Sequence, residues 1–591
     1  MNAPLPSGPR FGALLSWLCW LLLPVLVRAQ GPGPVFDRAA TCGQPASGSF
    51  YVPVRLAVDA AGNAYVAGYF SGTVVFGSTI LTSGPRPPGG GRDTDWFVAK
   101  LDPLGAPLWA VRGGAPAAAD RCQDLSLDGQ GHVFVAGVAQ DGAAFGPHRV
   151  NSPNGEARIA VARLDAATGV WQWVAHGGAN RNRAYGVAAD GAGHVFVTGT
   201  LGERGRIADF GSLSINTIAG NEDAFLARLD AASGIWQWVS LGGAPSGTVN
   251  AQALALDGAG GVLVCGNYSS TAPMQFGAIV LAPPPVLGQR KGVFTAKLDG
   301  VSGAWQWVNS GGSYGPNGTD LLQSVAVDAA GSMVASGYFN SAAPVFGSTT
   351  LINRSGNDRF GFQMGNGLVV GLNAGTGAWR WAVPVSGPGD EYCAGVALDG
   401  NGEAYVVGGF AGPTTFGART LTAANSYEAY VARLGAATGV WRWVAVAGGR
   451  GTKDAVSPVV ANSQLYVMGA YTGVLADFGS VTLAGSPADN FGFVGRLANA
   501  TGPLAGRAPA GAGAGAGLAV WPSPARGAAV AWASGPAPGT PVRVLDALGR
   551  AVGQGLMPAG GGPLALPLPA GRAAGLYLVR AGPRTARLLV E

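Results

Sequence analysis

Apolar and polar residues alternate along most of this chain in short runs broken by glycine. VRLAVD (54–59) alternates, AAGN turns the chain, and AYVAGYF (64–70) alternates again. A period of two is the signature of a strand with one face buried, and Asp or Asn followed by Gly is hairpin chemistry because glycine supplies the positive φ that such turns require. After residue 30 no run keeps a convincing helical period. The pattern predicts an all-β protein.

The runs recur in a fixed order. Phe-Gly pairs fall at 76, 145, 210, 276, 346, 416 and 478, in steps of 62 to 70 residues. An Asp-x-x-Gly turn begins at Asp59, Asp128, Asp190, Asp257, Asp328 and Asp399, with Asn462 in the seventh place. A third marker reads DWFVAKLD (95–102), RIAVARLD (158–165), DAFLARLD (223–230) and GVFTAKLD (292–299), then loosens to GLVVGLNA (367–374), EAYVARLG (428–435) and FGFVGRLA (491–498). A Trp-x-Trp strand follows it in five copies, as in WQWV at 171–174. Four antiparallel strands repeated seven times make a seven-bladed β-propeller over residues 34–503. Residues two apart on a regular strand share a face, so both rings of each pair are expected on one side of the blade's outer strand, as core rather than as a sugar platform. The seventh copy has no Trp-x-Trp, whereas the segment 33–43 precedes the first copy as an orphan. Together they predict that this segment completes the last blade.

These copies resemble the bacterial seven-bladed propeller repeat family, whose units read like VAVDxxGNVYVxGxF…FG…DxFVAKLD…W. The resemblance implies a fold and carries no catalytic motif. The remaining chain reads as a 504–517 Gly/Ala linker and four alternating runs within 518–591, a small immunoglobulin-like β-sandwich. That tail resembles the type A C-terminal sorting domain of the type IX secretion system. The family's "L-x-V-Y-P-N-P" stands here as LAVWPSP with Pro522 and Pro524. Its "D-x-x-G-R-x-V" is DALGRAV with Asp546, Gly549 and Arg550, and its "G-x-Y-L-V-R" is GLYLVR with Gly575 and Tyr577. Trp for Tyr and Ser for Asn depart from the family pattern. The resemblance implies the type IX machinery as a partner, passage through the outer membrane, and release or attachment at the cell surface.

The other end agrees. Arg10, the apolar run 13–27 and Ala29 read as a secretory signal peptide over 1–29, too short to be read as a membrane span. The net charge of +5 suggests an anionic partner until it is divided. The first 29 residues carry +2 and residues 504–591 carry +6, which leaves −3 for the body and no electrostatic basis for nucleic-acid binding. Export would leave Cys42, Cys122, Cys265 and Cys393, with three full pairings open and no CxxC spacing for zinc.

Candidate chemistry is sparse. No HExxH, GxSxG or P-loop occurs, so no cofactor or metal is expected. His132 and His194 each follow a turn glycine, and each Asp-x-x-Gly turn offers one carboxylate where calcium takes six to eight oxygens. Lys100, Arg163, Arg228, Lys297, Arg433 and Arg496 hold one place in six of the copies. Such a ring could bind an anionic polymer, but a recurrent place implies a recurrent structural job, and each is expected to pair with a nearby Asp of its own blade. Two functions follow: a monomeric, non-catalytic surface module for a glycan or protein, or a secreted polysaccharide lyase or hydrolase, which for hydrolysis needs two carboxylates in one cleft. Variable loops on a rigid scaffold carry function. The site is therefore expected on the face holding the second-to-third and blade-to-blade connections, around the channel mouth. Its candidates are Arg181, Arg183, Tyr314, Arg354, Asp358, Arg359, Asp390, Glu391 and Tyr392.

Overall fold

In the computed structural model, residues 34 and 36–498 are described except for 86–92, 153–154, 180, 203–204, 219, 282–289, 314–317, 358–363, 424–426, 448–452, 474, 479–480 and 487–488. In the tail the described residues are 519–521, 530–534, 539–546, 550–558, 564–567, 575–581 and 584–590. The signal segment, the Gly/Ala linker, Tyr314, Asp358, Arg359, Pro522, Pro524 and Gly549 lie outside them. Every regular element among the described residues is a strand. The chain divides into two units, one spanning Gly33–Leu504 and the other holding the tail.

The larger unit is β-propeller-like. Its building block is a four-stranded antiparallel meander, such as Arg121–Leu127, His132–Ala139, Arg158–Asp165 and Trp171–Gly178, paired in that order. The first strands (Phe50–Val58, Arg121–Leu127, Arg183–Ala189, Thr248–Leu256, Asp320–Val327, Tyr392–Leu398 and Lys453–Ala461) each pack on the next, and the last packs on the first. Side chains link this inner ring. Leu56 N–H donates to Ser457 Oγ at 3.2 Å, Val187 N–H to Asp124 Oδ2 at 2.8 Å, and Val396 N–H to Ser324 Oγ at 3.1 Å. Arg55 forms an ion pair with the deeply buried Asp124.

The predicted turns form. Asp59 Oδ1 accepts the N–H groups of Ala61 and Asn63, and Asp190 Oδ1 those of Ala192 and His194. The two turn histidines do have partners: His132 Nδ1 lies 2.6 Å from Asp128 Oδ2, and His194 Nδ1 lies 2.7 Å from Asp190 Oδ2. Cys42, Cys122, Cys265 and Cys393 are buried and form no disulfide with one another.

The outer strand departs from expectation at one point, and much follows from it. Trp171 opposes Leu164 and Trp173 opposes Arg163, with a bulge between them. One extra residue reverses the alternation, so the rings enter opposite faces of the blade. Trp171 packs with Trp96 and Phe145 of one inter-blade core, and Trp173 with Phe134, Val187 and Val195 of the next. The same bulge separates the two rings of Trp236/Trp238, Trp305/Trp307, Trp379/Trp381 and Trp441/Trp443. First rings donate backwards, Trp236 to His176 O at 3.2 Å and Trp305 to Leu241 O at 3.0 Å. Second rings donate forwards, Trp173 to Ala231 O at 3.2 Å and Trp381 to Ala436 O at 3.0 Å.

The Phe-Gly markers serve the same joint. Each lies in a small hairpin inserted between second and third strands, such as Ile207–Phe210 with Leu213–Asn216, which docks on the preceding outer strand through Gly177 and Gly178. Gly211 at φ +61° supplies the left-handed residue of its two-residue turn. Phe210 then meets Trp236 edge-on at 4.9 Å, as Phe145 meets Trp171 at 5.0 Å.

Closure reuses this device. Phe36–Thr41 pairs antiparallel with Phe491–Leu497, with a bulge between Phe36 and Arg38. Phe36 opposes Leu497 and meets Phe478 edge-on at 5.2 Å, the place of a first Trp. Arg38 opposes Arg496, and its Nη1 donates to Pro103 O at 3.0 Å, replacing the indole of a second Trp. F-D-R therefore does the work of W-Q-W.

The recurring cations divide into two groups. Lys297 pairs with Asp257 at 2.8 Å, Arg433 with Glu403 at 3.2 Å, and Arg496 Nε with Asp37 at 3.1 Å. Lys100, Arg163 and Arg228 depart from the expected own-blade pairing. They donate to the next blade's turn carbonyls, Ala166 O at 3.0 Å, Ala231 O at 2.9 Å and Gly300 O at 2.8 Å. Third-to-fourth turns bring those carbonyls within reach, so the cation acts as a second inter-blade clamp.

The tail unit consists of two antiparallel sheets, Ala519–Trp521, Val530–Ser534 and Leu564–Pro567 in one, and Ala551–Leu556, Pro541–Leu545, Gly575–Ala581 and Arg584–Val590 in the other. Val542, Val544, Tyr577 and Val579 alternate inward. Asp546 holds the hairpin turn through Arg550 N–H at 2.9 Å and Arg550 Nε at 2.8 Å.

Removing residues 30–45 should lower the melting temperature of the whole propeller unit. Phe36→Ala should cost about 3–5 kcal/mol, the range for emptying a buried aromatic site. Phe36→Trp should be tolerated, and Arg38→Ala should cost at most about 1 kcal/mol, as for one hydrogen bond. Thermal melts of the full chain check these values, and an unchanged melt for Phe36→Ala would remove the closing role.

Candidate functional site

Where a blade-to-blade connection enters the inner ring, the first strands Arg121–Leu127 and Arg183–Ala189 leave a cleft between them. It encloses about 620 Å³. Arg121, Gln123, Arg183 and Tyr185 come from these strands, Arg181 and Asn182 from the connection, and Glu222 from the start of a third strand. Ala119, Val138 and Ala157 complete the lining.

Local structure positions the charged groups. Arg181 adopts φ +56°, a conformation few non-glycine residues take and one often kept at functional sites. Its backbone is packed so closely on Gly202 that a Cβ added there would lie 2.8 Å from Arg181 O. Arg183 Nη1 donates to Tyr185 Oη at 3.2 Å, which uses one of the five guanidinium N–H groups. That bond holds the Arg183 pKa above the ordinary arginine value. Arg121 lies over the Tyr69 ring, 5.5 Å from its centroid, and Tyr69 in turn packs against Phe50. Arg121, Arg181 and Arg183 are exposed, and Glu222 is the one carboxylate among the residues lining the cleft.

Of the residues singled out in the sequence, the cleft gathers Arg181 and Arg183. Asp390, Glu391 and Tyr392 lie together elsewhere, at the entry to the strand Tyr392–Leu398, and each has a structural partner. Asp390 Oδ1 accepts Gly365 N–H at 3.0 Å. Glu391 is fully buried, and its carboxylate accepts Gly387 N–H at 3.0 Å, Asn366 Nδ2 at 3.0 Å and Thr414 Oγ1 at 3.0 Å. Tyr392 donates to Asp454 Oδ1 at 2.7 Å and stacks on Tyr427 at 6.0 Å. Arg354 is exposed, and its backbone N–H donates to Asn366 Oδ1. Arg121, Gln123, Tyr185 and Glu222 went unnoticed in sequence because they occupy ordinary ladder positions of the repeat. The available signal was the pair of arginines, 121 and 183, that open two neighbouring inner strands.

Glu391 has counterparts. Asp120 accepts Ala115 N–H and Gln140 N–H, both at 2.6 Å, and Asp223 accepts Ile218 N–H at 2.6 Å. These acids fasten the blade connections from within. Burial pushes Asp120, Asp223 and Glu391 up to about 7. It pushes Asp95 to about 6 despite the ion pair with Arg112.

No family model matches the chain, and no curated protein matches it in sequence. Among solved structures, a quinohemoprotein alcohol dehydrogenase from Comamonas testosteroni is 12% identical, with 78% of this chain and 76% of that one covered at a TM-score of 0.34. A structure described as the Dos1 propeller is 9% identical, with 78% and 94% covered at 0.38. A protein of unknown function from Dyadobacter fermentans is 11% identical, with 64% and 95% covered at 0.33. The assignment of a propeller-like fold stands on the strand pairing and the closed inner ring described above.

The buried acids set a pH dependence. In the unfolded chain these groups lose their protons near pH 4, whereas in the folded chain they hold them to about 6 or 7. Between those values the folded state binds more protons, so stability falls as pH rises. The melting temperature of the full chain should be a few degrees higher at pH 5 than at pH 8. A melt that rises across this interval would contradict the assignment.

Proposed function

We propose that the chain is a secreted or surface-attached seven-bladed propeller that binds a glycan or protein ligand without catalysis, and that the tail is a type IX sorting domain removed on export. The blade count is supported by the seven sequence copies and by the four-stranded meanders that follow them. The cleft between the inner strands carries the binding reading. It is a cationic recess set into a scaffold whose Trp-x-Trp rings fill the inter-blade cores and whose buried acids Asp120 and Glu391 fasten blade connections. A hydrolase on this scaffold is the weaker reading, because Glu222 is the one carboxylate among the residues that line the cleft, and hydrolysis uses two. The sorting reading is supported by the tail's two sheets, by the turn that Asp546 and Arg550 form, and by Tyr577 buried in its strand.

Two measurements test this. Arg121→Ala and Tyr185→Ala should weaken ligand capture by the full chain on a glycan array at least tenfold, whereas Val170→Ala on the short-turn face should leave it unchanged. If the short-turn substitution were the sensitive one, the cleft would lose its role. Material recovered from a bacterium with the type IX machinery should have an intact mass corresponding to a start near Gln30 and an end within 504–517. Surface protein still ending at Glu591 would overturn the sorting assignment.

A further inference from the structure

The cleft's charge is opposite to that of the body around it. Residues 30–503 carry −3, whereas the cleft brings Arg121, Arg181 and Arg183 together with a single carboxylate, Glu222. Clustering like charges is unfavourable unless something anionic offsets it, and a cationic recess in an acidic body concentrates anions at that one place. Arg121 and Arg183 also retain their fork. Arg121 is held by the face of Tyr69, a contact that uses the ring quadrupole rather than N–H donors, and Arg183 uses one N–H on Tyr185. A guanidinium so held can take a carboxylate through two parallel N–H···O bonds.

The rest of the lining narrows the anion. Glu222 can accept hydroxyl donors, which a sugar ring offers beside its carboxylate. Gln123 and the Tyr185 hydroxyl offer further donors and acceptors, and small apolar residues form the remaining wall. Carboxylates spaced apart by hydroxyl-rich rings match this set. We propose that the cleft binds the uronate residues of an acidic polysaccharide, with Arg121 and Arg183 taking the carboxylate and Glu222 and Gln123 the neighbouring hydroxyls. This rests on the reading of the cleft as the ligand site.

Affinity electrophoresis of the full chain in gels containing polygalacturonate, neutral dextran, dextran sulfate or polyglutamate tests both claims separately. Polygalacturonate should retard the wild type, and more weakly as salt rises, while dextran should not. The double substitution Arg121→Gln/Arg183→Gln should lose at least tenfold in affinity with its melting temperature unchanged, and Arg354→Gln should retain it. Unaltered retardation of the double variant would remove the cleft as the site and the inference with it. Equal retardation by dextran, lost in the double variant, would keep the cleft and overturn the uronate assignment. So would equal retardation by dextran sulfate, or retardation by polyglutamate alone. No retardation in any gel would overturn the inference.

Discussion

A single inserted residue in each outer strand governs how the ring holds together. A blade has two apolar faces and must bury both, one against each neighbour. On a regular strand Trp-x-Trp would place both rings on one face and leave the other joint without its aromatic. The bulge between Leu164 and Arg163, repeated at each Trp-x-Trp, breaks that parity and sends one indole backwards and the next forwards. Each inter-blade core thereby receives a second ring from one blade and a first ring from the next. The indole N–H groups of Trp173, Trp236, Trp305 and Trp381 find carbonyls across the joint, so the packing there also satisfies polar groups that burial would otherwise strand.

A ring built of such two-way joints tolerates no open end. At the join, the strand Phe36–Thr41 supplies Phe36 for the first ring and Arg38 for the donor of the second, with the same bulge against Phe491–Leu497. Buried acids complement this. Asp120 and Glu391 take backbone N–H groups of blade-to-blade connections and Asp223 one of a second-to-third connection, while the cleft is built from a further blade-to-blade connection and the two inner strands beside it.

Much of this was legible in the chain itself. Strand order, turn positions and the orphan segment's role follow from period-two alternation and from markers repeated in one order. What could not be read was parity. Nothing in W-Q-W distinguishes a bulged strand from a regular one, because the distinction lies in the partner strand's register. For the same reason FDR did not announce itself as a W-x-W equivalent. The cations illustrate a second gap. Lys297 found the acid expected of it, but Lys100 and Arg163 found carbonyls of the next blade, which become near neighbours only when the ring forms. The cleft shows a third. Loop variability singled out Arg181 and Arg183, which line the cleft, yet Glu391 and Tyr392, in equally variable sequence, turned inward to structural partners.

The central claim is that the segment Phe36–Thr41 is a strand of the last blade, as integral to the ring as any other. Native-state hydrogen exchange on the full chain measures this directly. If the claim holds, the amides of Phe36–Thr41 and of Phe491–Leu497 exchange together, with the same opening free energy as the central strands of the other blades. Rapid, independent exchange of Phe36–Thr41 above a protected last blade would contradict it.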